Sequence, residues 1–226
     1  MIEPKRILIT RPKNSFKKIE SWCNQNGIDL VCQPFIETIS RQIMNIPESD
    51  WIFFSSPNSV NHLLRMHSLG TRKVAAISRG TANALLKFNV APDFIGNENS
   101  DPAAIGAAFK KNLLPNDKVL FPISQRSKKT VIKELEPSNV IELISYDTNL
   151  ITNLDLNDSY GLVLFTSPSN FEGYLANSSN NDPEIWVAFG NTTAETIRAR
   201  FPEREIQILD SSSEEGFLEL LNTFIA

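Results

Sequence analysis

One stretch of this sequence occurs twice, and the repeat limits the folds open to the chain more than any other feature. Phe53-Phe54-Ser55-Ser56-Pro57-Asn58-Ser59 returns as Leu164-Phe165-Thr166-Ser167-Pro168-Ser169-Asn170, with Ser56 and Ser167 separated by 111 positions. Ala75-Ala76-Ile77-Ser78-Arg79-Gly80-Thr81-Ala82 returns 112 positions on as Val187-Ala188-Phe189-Gly190-Asn191-Thr192-Thr193-Ala194. Asn99-Ser100-Asp101-Pro102 returns 113 positions on as Ser212-Ser213-Glu214-Glu215. Three matches in one order, drifting by a single residue at each step, mark two copies of a β-loop-α-β-loop-α unit.

Around the copies, short β-branched runs alternate with amphipathic stretches. Strands are expected at 6–10, 29–33, 51–55, 73–77, 93–95, 118–122, 139–146, 161–166, 185–189 and 206–209. Helices are expected at 14–26, 57–68, 79–88, 101–112, 125–136, 168–177, 191–201 and 214–225. This alternation argues for an α/β fold with parallel sheets. Ten strands in 226 residues overfill one sheet of ordinary size, so two parallel-sheet α/β domains fit better. Residues 118–146 follow the first copy, nothing comparable follows the second, and the β-α-β unit at 6–34 has no other partner. The economical division makes the first domain discontinuous, 1–37 with 150–226, and inserts a second domain, 42–146. Residues 38–41 and 147–149 then form a two-stranded hinge.

Charge follows the chain unevenly. There are 22 Lys and Arg against 26 Asp and Glu, a net charge of −4. Residues 41–147 hold thirteen basic against ten acidic side chains, and residues 148–226 three against twelve. The negative total gives no sign of a nucleic-acid partner, while a chain divided this way could still present a basic cleft to an anionic ligand. No apolar run approaches the ~20 residues that span a bilayer, so no membrane partner is expected. Ile7-Leu8-Ile9, the first apolar run, is too short for a signal-peptide core, which points to the cytoplasm. Two cysteines, Cys23 and Cys32, make no disulfide framework and suit a reducing compartment.

The same inventory removes several chemistries. The two histidines, His62 and His67, stand five residues apart, and no Cys/His spacing suggests zinc, so no metal site is expected. No Ser-His-Asp or Cys-His nucleophile set can be assembled from them. Neither G-x-G-x-x-G after a strand nor G-x-x-x-x-G-K-[ST] occurs, which leaves dinucleotide and nucleoside-triphosphate sites without their usual marks.

Open parallel sheets bind ligands beyond the carboxyl ends of their strands, and both Ser-Pro motifs belong there. Ser56 and Ser167 read as helix N-caps, followed by prolines at a position where a missing N–H costs nothing. Thr81 and Thr193 lie at the next strand-to-helix turns, where hydroxyls and backbone N–H groups can bind carboxylates. Ser100 and Ser213, each followed by an acidic residue, read as plain caps. Two basic loops stand out: Thr10-Arg11-Pro12-Lys13, and Gln125-Arg126-Ser127-Lys128-Lys129 at the start of the helix expected at 125–136. Cations at a helix start oppose the dipole, so Arg11 and Arg126 read either as anion ligands or as members of a solvated charged face.

The segments Ile7-Leu8-Ile9-Thr10-Arg11-Pro12, Phe54-Ser55-Ser56-Pro57-Asn58-Ser59-Val60, Val119-Leu120-Phe121 and Ser145-Tyr146-Asp147-Thr148 belong together. With Leu164-Phe165-Thr166-Ser167-Pro168-Ser169 and Ala188-Phe189-Gly190-Asn191-Thr192-Thr193-Ala194, their order and spacing resemble the uroporphyrinogen-III synthase family along almost the whole chain. The resemblance implies two α/β domains joined by a two-strand ladder, with the N-terminal segment in the distal domain. It implies conversion of hydroxymethylbilane to uroporphyrinogen III with no metal or organic cofactor. The terminal hydroxyl is lost, an azafulvene forms, and a spiro-pyrrolenine rearranges ring D. The substrate carries eight carboxylates, which hydroxyls, backbone N–H groups and a few cations can share.

By the same resemblance Tyr146 is the catalytic residue, a phenol able to donate a hydrogen bond or proton to the departing hydroxyl. The competing reading of Tyr146 is an aromatic that anchors the hinge. Arg11, Ser56, Asn58, Thr81, Arg126, Ser167, Ser169, Thr192 and Thr193 are the expected substrate-binding residues. One departure stands out: the family's first-copy turn usually begins with glycine, as Gly190 does in the second copy, and Ser78 occupies that place. The expected partners are hydroxymethylbilane and, transiently, the upstream bilane-forming enzyme, with the chain otherwise a monomer. The alternative is a non-catalytic two-lobed binding protein for an anionic small molecule, and a third reading is a bare regulatory or interaction module.

Overall fold

The computed structural model describes residues 4–13, 16–97, 100–156, 159–178 and 182–225. The expected start of the first helix at residue 14, and Asn99 of the third repeat match, lie outside them. The chain divides into two units, Met1–Glu37 with Leu150–Ala226, and Thr38–Asn149.

The discontinuous unit holds one parallel sheet. Its strands are β1 (Arg6–Ile9), β2 (Asp29–Cys32), β9 (Leu162–Phe165), β10 (Ile185–Ala188) and β11 (Gln207–Ile208), in the order β11-β10-β9-β1-β2. Its helices are α1 (Lys17–Gln25), α5 (Pro168–Asn177), α6 (Asn191–Arg200) and α7 (Glu214–Ile225). Strand alternation divides the apolar side chains between two faces. Ile7, Ile9, Leu162 and Leu164 pack with Ile19 and Cys23 of α1 and Phe217 and Leu221 of α7. Leu8, Val163 and Phe165 pack with Phe171 and Tyr174 of α5 and Ala194 and Ile197 of α6. Burial on both faces explains why these strands read as unbroken apolar runs.

The inserted unit repeats the plan. Strands β3 (Ile36–Ser40), β4 (Trp51–Phe54), β5 (Lys73–Ala76), β6 (Phe94–Ile95), β7 (Val119–Ser124) and β8 (Val140–Leu150) form a sheet of order β3-β8-β7-β4-β5-β6. Helices α2 (Pro57–Leu64) and α3 (Arg79–Leu86) cover one face with Val60, Leu63, Ala82 and Leu85. The other face is covered by Ile105 and Phe109 of α4 (Pro102–Lys110), with Val131 and Leu135. Written from β8, the order β8-β7-β4-β5-β6 matches β2-β1-β9-β10-β11 strand for strand.

Some elements depart from the sequence expectation. The helix expected at 125–136 is absent: a single 3-10 turn, Ile132–Glu134, is all that forms. Gln125 instead clamps Thr148, accepting its N–H at 2.8 Å and donating to its carbonyl at 3.2 Å. Lys129 adopts a left-handed φ of 56°, which ends any helix there. β3 pairs with β8 where the two-stranded hinge of 38–41 with 147–149 was expected, and the pair belongs to the six-stranded sheet. β3 lies at the sheet edge beside β8, and the Arg41 N–H donates to the Ser145 carbonyl at 3.0 Å. β7 also runs two residues past its expected end, through Pro122. β4 pairs only with Val119 and Leu120, so the missing N–H of Pro122 breaks no bond to β4.

Candidate functional site

At the carboxyl ends of β4 and β7 and midway along β8, a cluster of polar side chains comes together. Ile141 and Leu143 of β8 pack on the side covered by α2 and α3, so strict alternation would send Ser145 that way and Tyr146 to the opposite face. The register shifts between Ile123 and Ser124, so that Ser124 pairs with Tyr146 and Ser145 is the extra residue of a bulge. Bulges re-aim side chains next to functional sites, and this one turns Tyr146 toward α2. Ser145 is buried, and its hydroxyl points to the Ile123 carbonyl at 3.5 Å.

Tyr146 is 6% exposed. Its hydroxyl lies 3.1 Å from Ser56 Oγ, and either group can be the donor. Ser124, the residue paired with Tyr146, favours the ionised phenol as Ser56 does. Both serine oxygens also accept a backbone N–H, Ser56 from Ser59 at 3.1 Å and Ser124 from Arg126 at 3.2 Å. Burial pushes the Tyr146 pKa above its ordinary value, and the Ser56 and Ser124 hydroxyls pull the other way without prevailing. The phenol therefore stays protonated across the physiological range.

The imidazole of His62 lies flat against the Tyr146 ring, centroids 4.7 Å apart and planes 12° from parallel. His62 Nδ1 is 2.6 Å from Ser40 Oγ on β3. Burial, and secondarily the Arg65 cation, lower the His62 pKa. Arg41 grips Asp147, the residue after Tyr146, through Nε and Nη2.

In the discontinuous unit the corresponding strand ends carry hydroxyls. Thr10 and Thr166 are buried and mutually bonded: the Thr166 N–H donates to Thr10 Oγ1 at 2.9 Å, and Thr166 Oγ1 donates to the Thr10 carbonyl at 2.8 Å. The guanidinium of Arg11 stacks on Phe189 at 4.6 Å and lies 5.9 Å from the Phe16 ring centroid. Burial lowers its pKa, but an arginine remains charged, and no carboxylate pairs with it among the described residues.

Ser56 caps α2 and Ser167 caps α5, each accepting the N–H three residues on. Asn58 is exposed, Ser169 and Thr192 are half-buried in the first turns of α5 and α6, and Arg126 is exposed after β7. Thr81 and Thr193 sit inside the first turns of α3 and α6, 0% and 4% exposed, not in the open turns where the sequence put them. Ser78 and Gly190 hold the cap positions instead. Ser100 is not the cap of α4; Asp101 is, accepting the Ala104 N–H at 2.7 Å. Ser213 does cap α7, through the Gly216 N–H. The cluster thus joins Tyr146 with Ser56 and adds three residues the sequence reading missed, Ser124, His62 and Ser40. Thr10 and Thr166 had a signal, the shared Thr-x-Pro of Thr10-Arg11-Pro12 and Thr166-Ser167-Pro168. No group of three His, Cys, Asp or Glu side chains able to hold a metal ion occurs among the described residues. No helix among them is long and apolar enough to cross a membrane.

A family model described as "Uroporphyrinogen-III synthase HemD" matches residues 17–204. The chain belongs to the uroporphyrinogen-III synthase family. A Methanocaldococcus jannaschii protein assigned as a uroporphyrinogen-III synthase is 25% identical, over 96% of this chain and 98% of its own. The porphyrin biosynthesis protein HemD of Ruminiclostridium josui is 24% identical over 91% of this chain, which spans about half (47%) of that longer relative. Among solved structures, the uroporphyrinogen-III synthetase of Helicobacter pylori 26695 superposes with a TM-score of 0.66 at 17% identity, covering 97% of this chain and 99% of that one. A mutant uroporphyrinogen III synthase of Thermus thermophilus gives 0.59 at 12% identity, covering 97% and 98%. At such identities the superpositions establish the two-domain α/β fold alone. Family membership favours the enzyme over the non-catalytic two-lobed binding protein.

Proposed function

We propose that this chain closes hydroxymethylbilane into uroporphyrinogen III, with Tyr146 as the general acid at the departing hydroxyl. The observation that carries this reading is the setting of the Tyr146 phenol, buried, neutral and bonded to Ser56, whose oxygen already accepts a backbone N–H. With the Ser56 hydroxyl donating to the phenol oxygen, the phenolic proton is free for the substrate. The terminal carbon–oxygen bond breaks, that proton passes to the departing oxygen, and water leaves as the azafulvene forms. Ser56 and Ser124 stabilise the transient phenolate. The proton lost from the terminal pyrrole N–H restores the phenol, so the step releases one water and nothing else.

Carboxylates of the substrate bind Arg11, Ser56, Asn58, Thr81, Arg126, Ser167, Ser169, Thr192 and Thr193, helix starts and cations at strand ends in each unit. Thr81 and Thr193 contribute through their surroundings in the first helical turn, given their burial. On this reading the protein works as a monomer in the cytoplasm, where two free cysteines are at home, receiving its substrate from the bilane-forming enzyme. Tyr146→Phe tests the chemistry because it keeps the ring and removes only the hydroxyl. Type III formation slows by about 10²–10⁴-fold with the fold intact. Near-normal turnover by a folded Phe variant removes Tyr146 from the reaction.

A further inference from the structure

We propose that His62 is a positioning residue for Tyr146, its ring forming a flat wall that holds the phenol on Ser56. The inference rests on the reading of Tyr146 as the general acid. The two rings are nearly parallel, their planes 12° apart at 4.7 Å, an offset stack that blocks rotation of the phenol about its Cα–Cβ bond toward α2. The wall is itself fixed from behind, because Ser40 Oγ on β3 meets His62 Nδ1 at 2.6 Å and sets the plane of the imidazole. The His62 side chain is thus tied to β3, β8 and its own helix α2, and Ser56, at the start of the same helix, receives the phenol. One helix therefore supplies both the hydroxyl that binds Tyr146 and the ring that aims it. His62 touches no reacting atom in this arrangement. Its low pKa leaves it neutral, so it stacks without placing a cation on the phenol.

The role separates from mere packing by what survives substitution. His62→Leu keeps apolar bulk and removes the flat face, whereas His62→Phe keeps the face and removes the bond to Ser40. A catalytic proton misplaced by a fraction of an ångström costs rate while leaving substrate binding alone, so His62→Leu lowers kcat for type III formation about tenfold or more with KM little changed. His62→Phe recovers most of that loss, and Ser40→Ala gives a smaller decrease of the same kind. In the Tyr146→Phe background, His62→Leu adds nothing further. The chain has three tyrosines, so ring-labelled tyrosine NMR, assigned with Tyr146→Phe, reads the Tyr146 ring directly. Its resonances move in His62→Leu while those of Tyr160 and Tyr174 stay.

Wild-type kcat in a folded His62→Leu variant, with Tyr146→Phe slow, overturns the positioning role and leaves Tyr146 standing. Wild-type kcat in Tyr146→Phe overturns both. If His62→Leu does not fold, His62→Phe and Ser40→Ala carry the test. Unchanged Tyr146 resonances and wild-type kcat in Ser40→Ala then count against the proposal.

Discussion

A phenol and an imidazole that share a buried stack titrate against their surroundings in opposite directions. Tyr146 is raised and His62 lowered, so both stay neutral near pH 7. The lowered His62 value couples folding to pH. As pH falls through the ordinary histidine value of about 6.5, the unfolded chain takes up a proton at this position that the folded chain refuses. The stability attached to neutral His62 is therefore present above that value and lost as pH falls through the folded one. The groups facing the ring are Tyr146 and Ser40, with Arg65 on its own helix, and none supplies a compensating negative charge. His62→Phe removes this proton uptake, so its midpoint of thermal unfolding falls less between about pH 7 and 5 than that of wild type. Parallel curves for the two proteins would show that His62 is not part of the acid response. At this scale Tyr146 was legible only through family resemblance, and Ser56 through its cap and proline. His62 and Ser40 were illegible because no local pattern encodes a contact between residues twenty-two apart on different elements.

Elements were read more fully than their contacts. Apolar runs buried on both sheet faces and Ser-Pro caps located every strand and helix of the two repeat copies, since those signals are local. The failures came where tertiary bonds overrode local pattern. At 125–136 the Gln125 clamp on Thr148 and the left-handed Lys129 displaced a helix that periodicity favoured. The β8 bulge, which aims Tyr146, leaves no trace in residue type.

Ser78 in place of the family's glycine has a physical reason as well. A Cβ on Gly190 would sit 2.8 Å from Ser212 Oγ, which donates to the Phe189 carbonyl, whereas Ser78 turns its hydroxyl to the Thr81 N–H as a cap. A harsher contact guards Gly173 in α5: a Cβ there would meet the Phe35 carbonyl oxygen at 2.4 Å. That backbone is already pinned, since the Phe35 N–H donates to Asn170 Oδ1 at 2.9 Å. Gly173→Ala accordingly costs about 1–3 kcal/mol, read as a drop of several degrees in thermal midpoint. Gly80→Ala, whose added methyl meets nothing closer than 3.8 Å, carries no such cost. Equal midpoints for the two variants would refute the close-approach account.

For the whole molecule, the repeat was the most informative signal because it also assigned the leftover segments. β7 and β8 complete the first copy as β1 and β2 complete the second, giving two sheets of one order. The inserted unit is continuous in sequence, with β3 and β8, its first and last strands, as sheet neighbours. We expect residues 38–149 expressed alone to fold. Trp51, the one tryptophan in that segment, is buried against Phe109 and bonded to Asp117, so its fluorescence reports a cooperative transition in denaturant. A gradual, uncooperative change would deny the unit an independent core.

Uroporphyrinogen III differs from the spontaneous product by the inversion of ring D during closure. The most direct test supplies the purified protein with freshly generated hydroxymethylbilane and separates the type I and type III isomers. Spontaneous closure yields type I. Type III is the expected product, in a proportion that rises with protein concentration. Type I alone, at every protein concentration, would contradict the proposed activity.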